Sequence, residues 1–188
     1  MTTTLADASL SLARQHLPAS VLNHSIRVHG YALLHAEQHG MTLGDDVDAE
    51  LLFAACVLHD LGAAPAFDGP QRFEVEGADA AVALLREHGR SALEADEVWQ
   101  AIALHTSPGI AERRGPITLL LRLGVLSDFS ENEVPGELRA ALEREHPRLG
   151  LDTELPVLLV EQALRQPVKG RPSSWVADLL RASGHGTR

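Results

Sequence analysis

The stretch Leu51-Leu52-Phe53-Ala54-Ala55-Cys56-Val57-Leu58-His59-Asp60-Leu61-Gly62 runs eight apolar residues into an imidazole and a carboxylate, and glycine follows two positions later. An ionised pair at the end of such a run is costly unless its members bond each other, water or a cation. The run predicts a helix from Ala49 to Leu61, closed by Gly62 and kept from resuming by Pro65. Cys56 lies within it and reads as a small buried hydrophobe, not a reactive thiol.

Outward from that stretch, apolar residues recur at helical spacing in nearly every segment, and no run of alternating β-branched residues asks for a sheet. The expected fold class is all-α, a compact helical bundle. Further helices are predicted at Leu5 to His16, Ser20 to His39, Val75 to His88, Ala92 to Leu104, Ile117 to Phe129, Gly136 to Glu145, Glu154 to Arg165 and Ser173 to Ala182. Gly62 to Glu74 is the longest connection, and loops set against rigid helices are favoured places for binding residues. With 188 residues, 45% of them apolar, the chain fits one domain, its core spanning about residues 20–130 and a helical extension about 135–183.

Sixteen basic against 26 acidic residues give a formal charge of -10, which opposes attraction to nucleic-acid backbones and anionic lipid surfaces. Met1 to Ala8 carry no positive cluster ahead of an apolar stretch, and nowhere do 18 consecutive apolar residues occur. The expectation is a soluble cytoplasmic protein with a small-molecule substrate and neither nucleic acid nor membrane as partner. A homo-oligomer is left open.

Consecutive helical positions stand about 100° apart, so His59 and Asp60 can share one ion only at the seam beside their helix. Other helices must then complete the shell. His24 shares a mostly apolar stripe with Val21, Val28, Tyr31 and His35, and Asp128 lies beside the face formed by Leu120, Leu121, Gly124 and Val125. His24, His59, Asp60 and Asp128 together suit one borderline divalent ion, zinc first, with iron, manganese, cobalt or nickel open. Taken singly, each has a plainer reading as a core histidine bonded to a carbonyl or an aspartate capping a turn.

The order His24, His59-Asp60, Asp128 resembles the HD-domain superfamily, named for its His-Asp pair. Asn23-His24-Ser25-Ile26-Arg27-Val28, Leu58-His59-Asp60-Leu61-Gly62, Arg72-Phe73-Glu74-Val75-Glu76-Gly77-Ala78 and Ile102-Ala103-Leu104-His105-Thr106 look like its cyanamide hydratase branch. That resemblance implies water, activated by the metal, adding across the carbon-nitrogen triple bond of cyanamide to give urea. Two carboxylates cancel the charge of a divalent ion, which suits a neutral substrate at least as well as an anionic one.

Adding water to a nitrile demands a proton for the nitrogen, and inward-facing His105 is the first candidate, with Glu74 and Asp60 behind it. His105 can alternatively bind a second metal. Arg27, near the face of His24, either binds substrate or locks a carboxylate, the second role being favoured. Arg72, Tyr31 and Phe73 complete the substrate-binding candidates. The competing class is phosphohydrolysis of a nucleotide. Mononuclear HD nucleotidases carry an acidic residue three positions after the Asp of the pair, where this chain has Ala63. A non-catalytic metal-binding regulatory module is the third reading.

Overall fold

In the computed structural model, which describes residues 4–130 and 134–185, the chain folds into helices α1 (Leu5–His16), α2 (Ala19–Gln38), α3 (Ala49–Leu58), α4 (Phe73–Glu87), α5 (Ala92–Leu104), α6 (Pro116–Phe129), α7 (Gly136–Glu145), α8 (Leu151–Arg165) and α9 (Trp175–Ala182). No strand forms among the described residues; a lone bridge between Leu43 and Val47 closes a turn. The fold is all-α. None of the described helices is long and apolar enough to cross a membrane.

α3 is apolar around its whole circumference, so it is buried on all sides. It touches α1, α2, α4, α5 and α6. Leu51, Leu52 and Leu58 are among the largest fully buried side chains, and Ala54 and Ala55 let neighbours approach. Each buried leucine contributes roughly 1.5–3 kcal/mol relative to exposure. Asp48 starts the helix by accepting from the backbone N–H groups of Glu50 and Leu51.

Around that axis, α2 packs along α6 and α4 along α5. Gly124 permits the first contact, because a Cβ there would stand 2.5 Å from the Val28 carbonyl oxygen. Gly62 permits the docking of α4, since its Cβ would fall 1.9 Å from the carbonyl oxygen of Phe73. These two glycines bring α2, α6 and the start of α4 to the end of α3.

Several boundaries differ from the sequence expectation, the start of α4 at Phe73 and not Val75 among them. α3 stops at Leu58, before His59. α8 begins at Leu151, after Gly150 takes a left-handed conformation, and so carries Pro156 inside it. α9 begins at Trp175, because Ser173 adopts a positive φ of 67° and Ser174 caps the helix by accepting from the N–H of Ala177. α8 and α9 pack on each other, and α8 also reaches α2 and the short turn Leu61–Ala63.

Candidate metal centre

His59 caps α3 with helical backbone, and Asp60 then turns away at φ -99°, ψ 10°. Leaving the helix at this point lets two consecutive side chains reach one place, which a continued helix would allow only at its seam. α2 brings His24, and His105, the cap residue of α5, closes the group. All four are buried.

Asp60 is the hub. Its Oδ2 lies 3.2 Å from His59 Nε2 and 3.7 Å from His24 Nε2, while its Oδ1 lies 3.6 Å from His105 Nε2. The far nitrogen of each ring is fixed: His24 Nδ1 donates to Asp128 Oδ2 at 2.7 Å, His59 Nδ1 to the Cys56 carbonyl at 2.8 Å, and His105 Nδ1 to the Ile102 carbonyl at 2.7 Å. Carbonyls and carboxylates only accept, so every Nδ1 carries the proton and every neutral ring turns a bare Nε2 lone pair inward.

His59 Nε2 and Asp60 Oδ2 are both buried and make no hydrogen bond. Lone pairs converging in this way need a cation between them, either a proton on a ring or a metal ion. The ligand atoms of His24, His59 and Asp60 all lie within 4.8 Å of one another, close enough for one ion to bridge them. The residues therefore fit a divalent metal.

The electrostatics agree with that fit. Burial lowers the pKa of His24, and lowers that of His105 to about 4, so both rings are neutral near pH 7. For His59 burial is the largest single effect and acts downward too, but the neighbouring Asp60, the Cys56 carbonyl and the Asp128 charge together outweigh it and the pKa is raised. Burial opposes ionisation of Asp60, yet the His59 ring beside it holds the carboxyl well below the usual range.

Asp128, expected as a fourth ligand, stands behind His24. Its Oδ1 accepts from Arg27 Nε at 2.7 Å and its Oδ2 from Arg27 Nη2 at 2.6 Å, in addition to the His24 ring. A bidentate guanidinium and the His24 ring engage both oxygens, and Asp128 is not among the residues whose ligand atoms gather within 4.8 Å of one another. Arg27 thus takes the carboxylate-locking role.

Glu74 is fully buried, with Oε1 accepting from Thr106 at 2.5 Å and from Arg72 at 2.6 Å. These bonds hold its carboxyl below its ordinary pKa against the opposing effect of burial. Phe73 stacks edge-on against His105, ring centroids 5.7 Å apart. Tyr31 is fully buried, with the Arg139 guanidinium 5.5 Å from its ring centre. The cavity wall includes none of Arg27, Tyr31, Arg72, Phe73 and Glu74, all of which act from behind it or away from it.

That cavity, about 490 Å³, opens onto His24, His59, Asp60 and His105. Sequence reasoning missed most of its other walls: Arg122, Phe129, Leu155, Ser173, Trp175 and Asp178. Phe129 follows Asp128 directly, a signal that was present. Nothing in the local sequence marks Trp175.

A model of the HD domain family matches residues 21–149. The chain belongs to the HD domain family. Among curated proteins none matches this sequence. Members of the HD domain family are generally metal-dependent hydrolases, and HD domains bind divalent metals. The His24, His59 and Asp60 cluster lies inside the matched range, whereas α8 and α9 lie beyond it.

Proposed function

We propose that this HD-domain protein is a metal-dependent hydratase or hydrolase acting on a neutral molecule with a carbon-nitrogen electrophile, the nitrile group of cyanamide being the simplest case. The observation that carries the reading is the pairing of charge around the cavity. Arg122 is the one Arg or Lys on its wall among the described residues, and its guanidinium is held by Glu112 at 3.3 Å and by the His105 carbonyl at 2.9 Å. Arg27 and Arg72 are committed to Asp128 and Glu74. Phosphate recognition needs cations that are free to grip it.

His24, His59 and Asp60 would hold a divalent ion, and such an ion when bound would supply acidified water, its pKa lowered from ~15.7 towards ~7. The residues around it handle the protons. His105 is neutral, its Nδ1 is tied to Ile102, and its bare Nε2 borders the cavity, so it can take a proton from water and pass it on. In hydration the water oxygen bonds to the nitrile carbon, one carbon-nitrogen π bond breaks and that electron pair takes a proton at nitrogen; the proton left on oxygen then moves to the same nitrogen as C=N becomes C=O, giving the amide, urea in the case of cyanamide. Asp60, held ionised, faces the imidazolium that His105 briefly becomes.

The test is to load the purified chain with zinc, iron(II) or manganese and measure urea from cyanamide beside phosphate release from a nucleotide panel. Urea formation that requires the metal and is lost in Asp60→Ala is the expected result. Phosphate release without hydration of any nitrile would overturn the reading in favour of the phosphohydrolase class.

A further inference from the structure

Resting on the site reading above, we infer that the segment Ser173–Asp178, with Trp175 at its centre, is the specificity-determining wall of the cavity, and that the substrate carries a neutral, ring-sized apolar body besides its reactive group. Size is the first argument. A three-heavy-atom molecule such as cyanamide fills roughly two water volumes, about 60 Å³, against a cavity of about 490 Å³. A cavity of that size is in the range that encloses much larger ligands, roughly 300–1,000 Å³.

The wall chemistry is the second argument. Away from the histidines the cavity meets Pro108, Val125, Leu126, Phe129, Leu155 and Trp175. Two aromatic rings among these apolar side chains favour a flat partner, because aromatic contacts add to the burial of area. The charges nearby are already paired: Arg122 with Glu112, and Asp178 with Arg181. A charged body would lose hydration there without gaining a partner.

Construction of the wall is the third argument. The family match ends at residue 149, so Leu155 and the Ser173–Asp178 segment lie outside it while lining the same cavity as the metal cluster. Their placement is built. The positive φ of Ser173 sets the turn, Ser174 donates to the Arg171 carbonyl at 2.8 Å while capping α9, and the Trp175 ring lies 6.2 Å from that of Phe73. Phe73 in turn packs on His105, so the wall and the proton-handling residue share one support.

The test uses the metal-loaded full chain and calorimetric binding of benzamide and acetamide, which share the amide and differ in the ring. Benzamide is expected to bind at least tenfold more tightly than acetamide, and Trp175→Leu should remove about tenfold of that preference while Trp175→Phe keeps most of it. Circular dichroism and metal content identify a variant that has failed to fold, and in that case the benzamide-to-acetamide ratio of the unaltered chain decides. Equal binding of the two amides, or a ratio untouched in a folded Trp175→Leu, overturns the inference. If no nitrile is hydrated and the ring preference still holds, the proposed reaction fails and the wall assignment stands.

Discussion

Arg27 and Asp128, 101 residues apart in the chain, meet through two hydrogen bonds of 2.7 and 2.6 Å with neither side chain exposed. Breaking a buried pair by removing one partner leaves the other charge without compensation. Arg27→Ala should therefore destabilise the fold by about 3–5 kcal/mol, read from urea denaturation. A loss below about 1 kcal/mol would mean that water or Arg148, 3.5 Å from Asp128, replaces the guanidinium.

The same carboxylate fixes the tautomer of His24 from behind. Carboxylates that receive the second nitrogen of a ligating imidazole typically matter 10–100-fold to metal affinity. Asp128→Asn should weaken metal binding by about that factor without abolishing it, as measured by competition with a chelator. Complete loss of the ion would instead place Asp128 among the ligands, as the spacing of the sequence first suggests.

His105 lies beside the three-residue group and is not needed to complete it. His105→Ala should retain the ion and slow turnover by about 10²–10⁴-fold, the usual contribution of a positioned acid-base group. Elemental analysis and steady-state kinetics on one preparation check both halves. Metal loss in that variant would make His105 a ligand.

Gly62 has no room for a methyl group, because Phe73 carbonyl backbone occupies the position of its Cβ. Backbone cannot rotate away as a flexible side chain can, so Gly62→Ala should cost about 3 kcal/mol or more. Its metal content should fall as well, since the displaced segment starts two residues after Asp60. Chemical denaturation and metal stoichiometry measure the two effects.

Asp68 links the loop after the metal cluster to the C-terminal helices. Its carboxylate accepts from Lys169 Nζ at 2.8 Å and Arg165 Nη2 at 2.9 Å, and Lys169 also donates to Gln162, whose amide donates to the Gly62 and Ala63 carbonyls. Burial works against ionisation, but those cations hold the Asp68 carboxyl below its ordinary 3.8. A depressed folded pKa gives stability that is full above the unfolded value and is lost as pH falls through the folded one. Thermal melts should place Asp68→Asn about 2–4 °C below the unaltered chain at pH 7, with the gap closing below pH ~3.8.

The helical fold was legible because α3 is apolar on every face and the neighbouring stripes keep helical period, so burial leaves few alternatives. The inward course of His24, His59 and Asp60 was legible too, since polar groups set in apolar surroundings must find partners. What the His and Asp spacing left open was whether Asp128 faces the shared centre or the back of His24. That choice turns on Arg27, whose guanidinium takes both oxygens only when α2 and α6 touch at Gly124.

Local pattern alone therefore determined an all-helical chain with a cationic demand at its centre, because periodicity and the cost of buried charge are properties of neighbouring residues. Only the tertiary structure decided which side chains line the space above that centre. Tyr31, Arg72 and Phe73 were drawn away from the cavity wall by packing and by Glu74, while Phe129 and Trp175 came to line it. Trp175 lies over 100 residues from Asp60 in the sequence and reaches the cavity through the docking of α8 and α9, a contact written in no single segment.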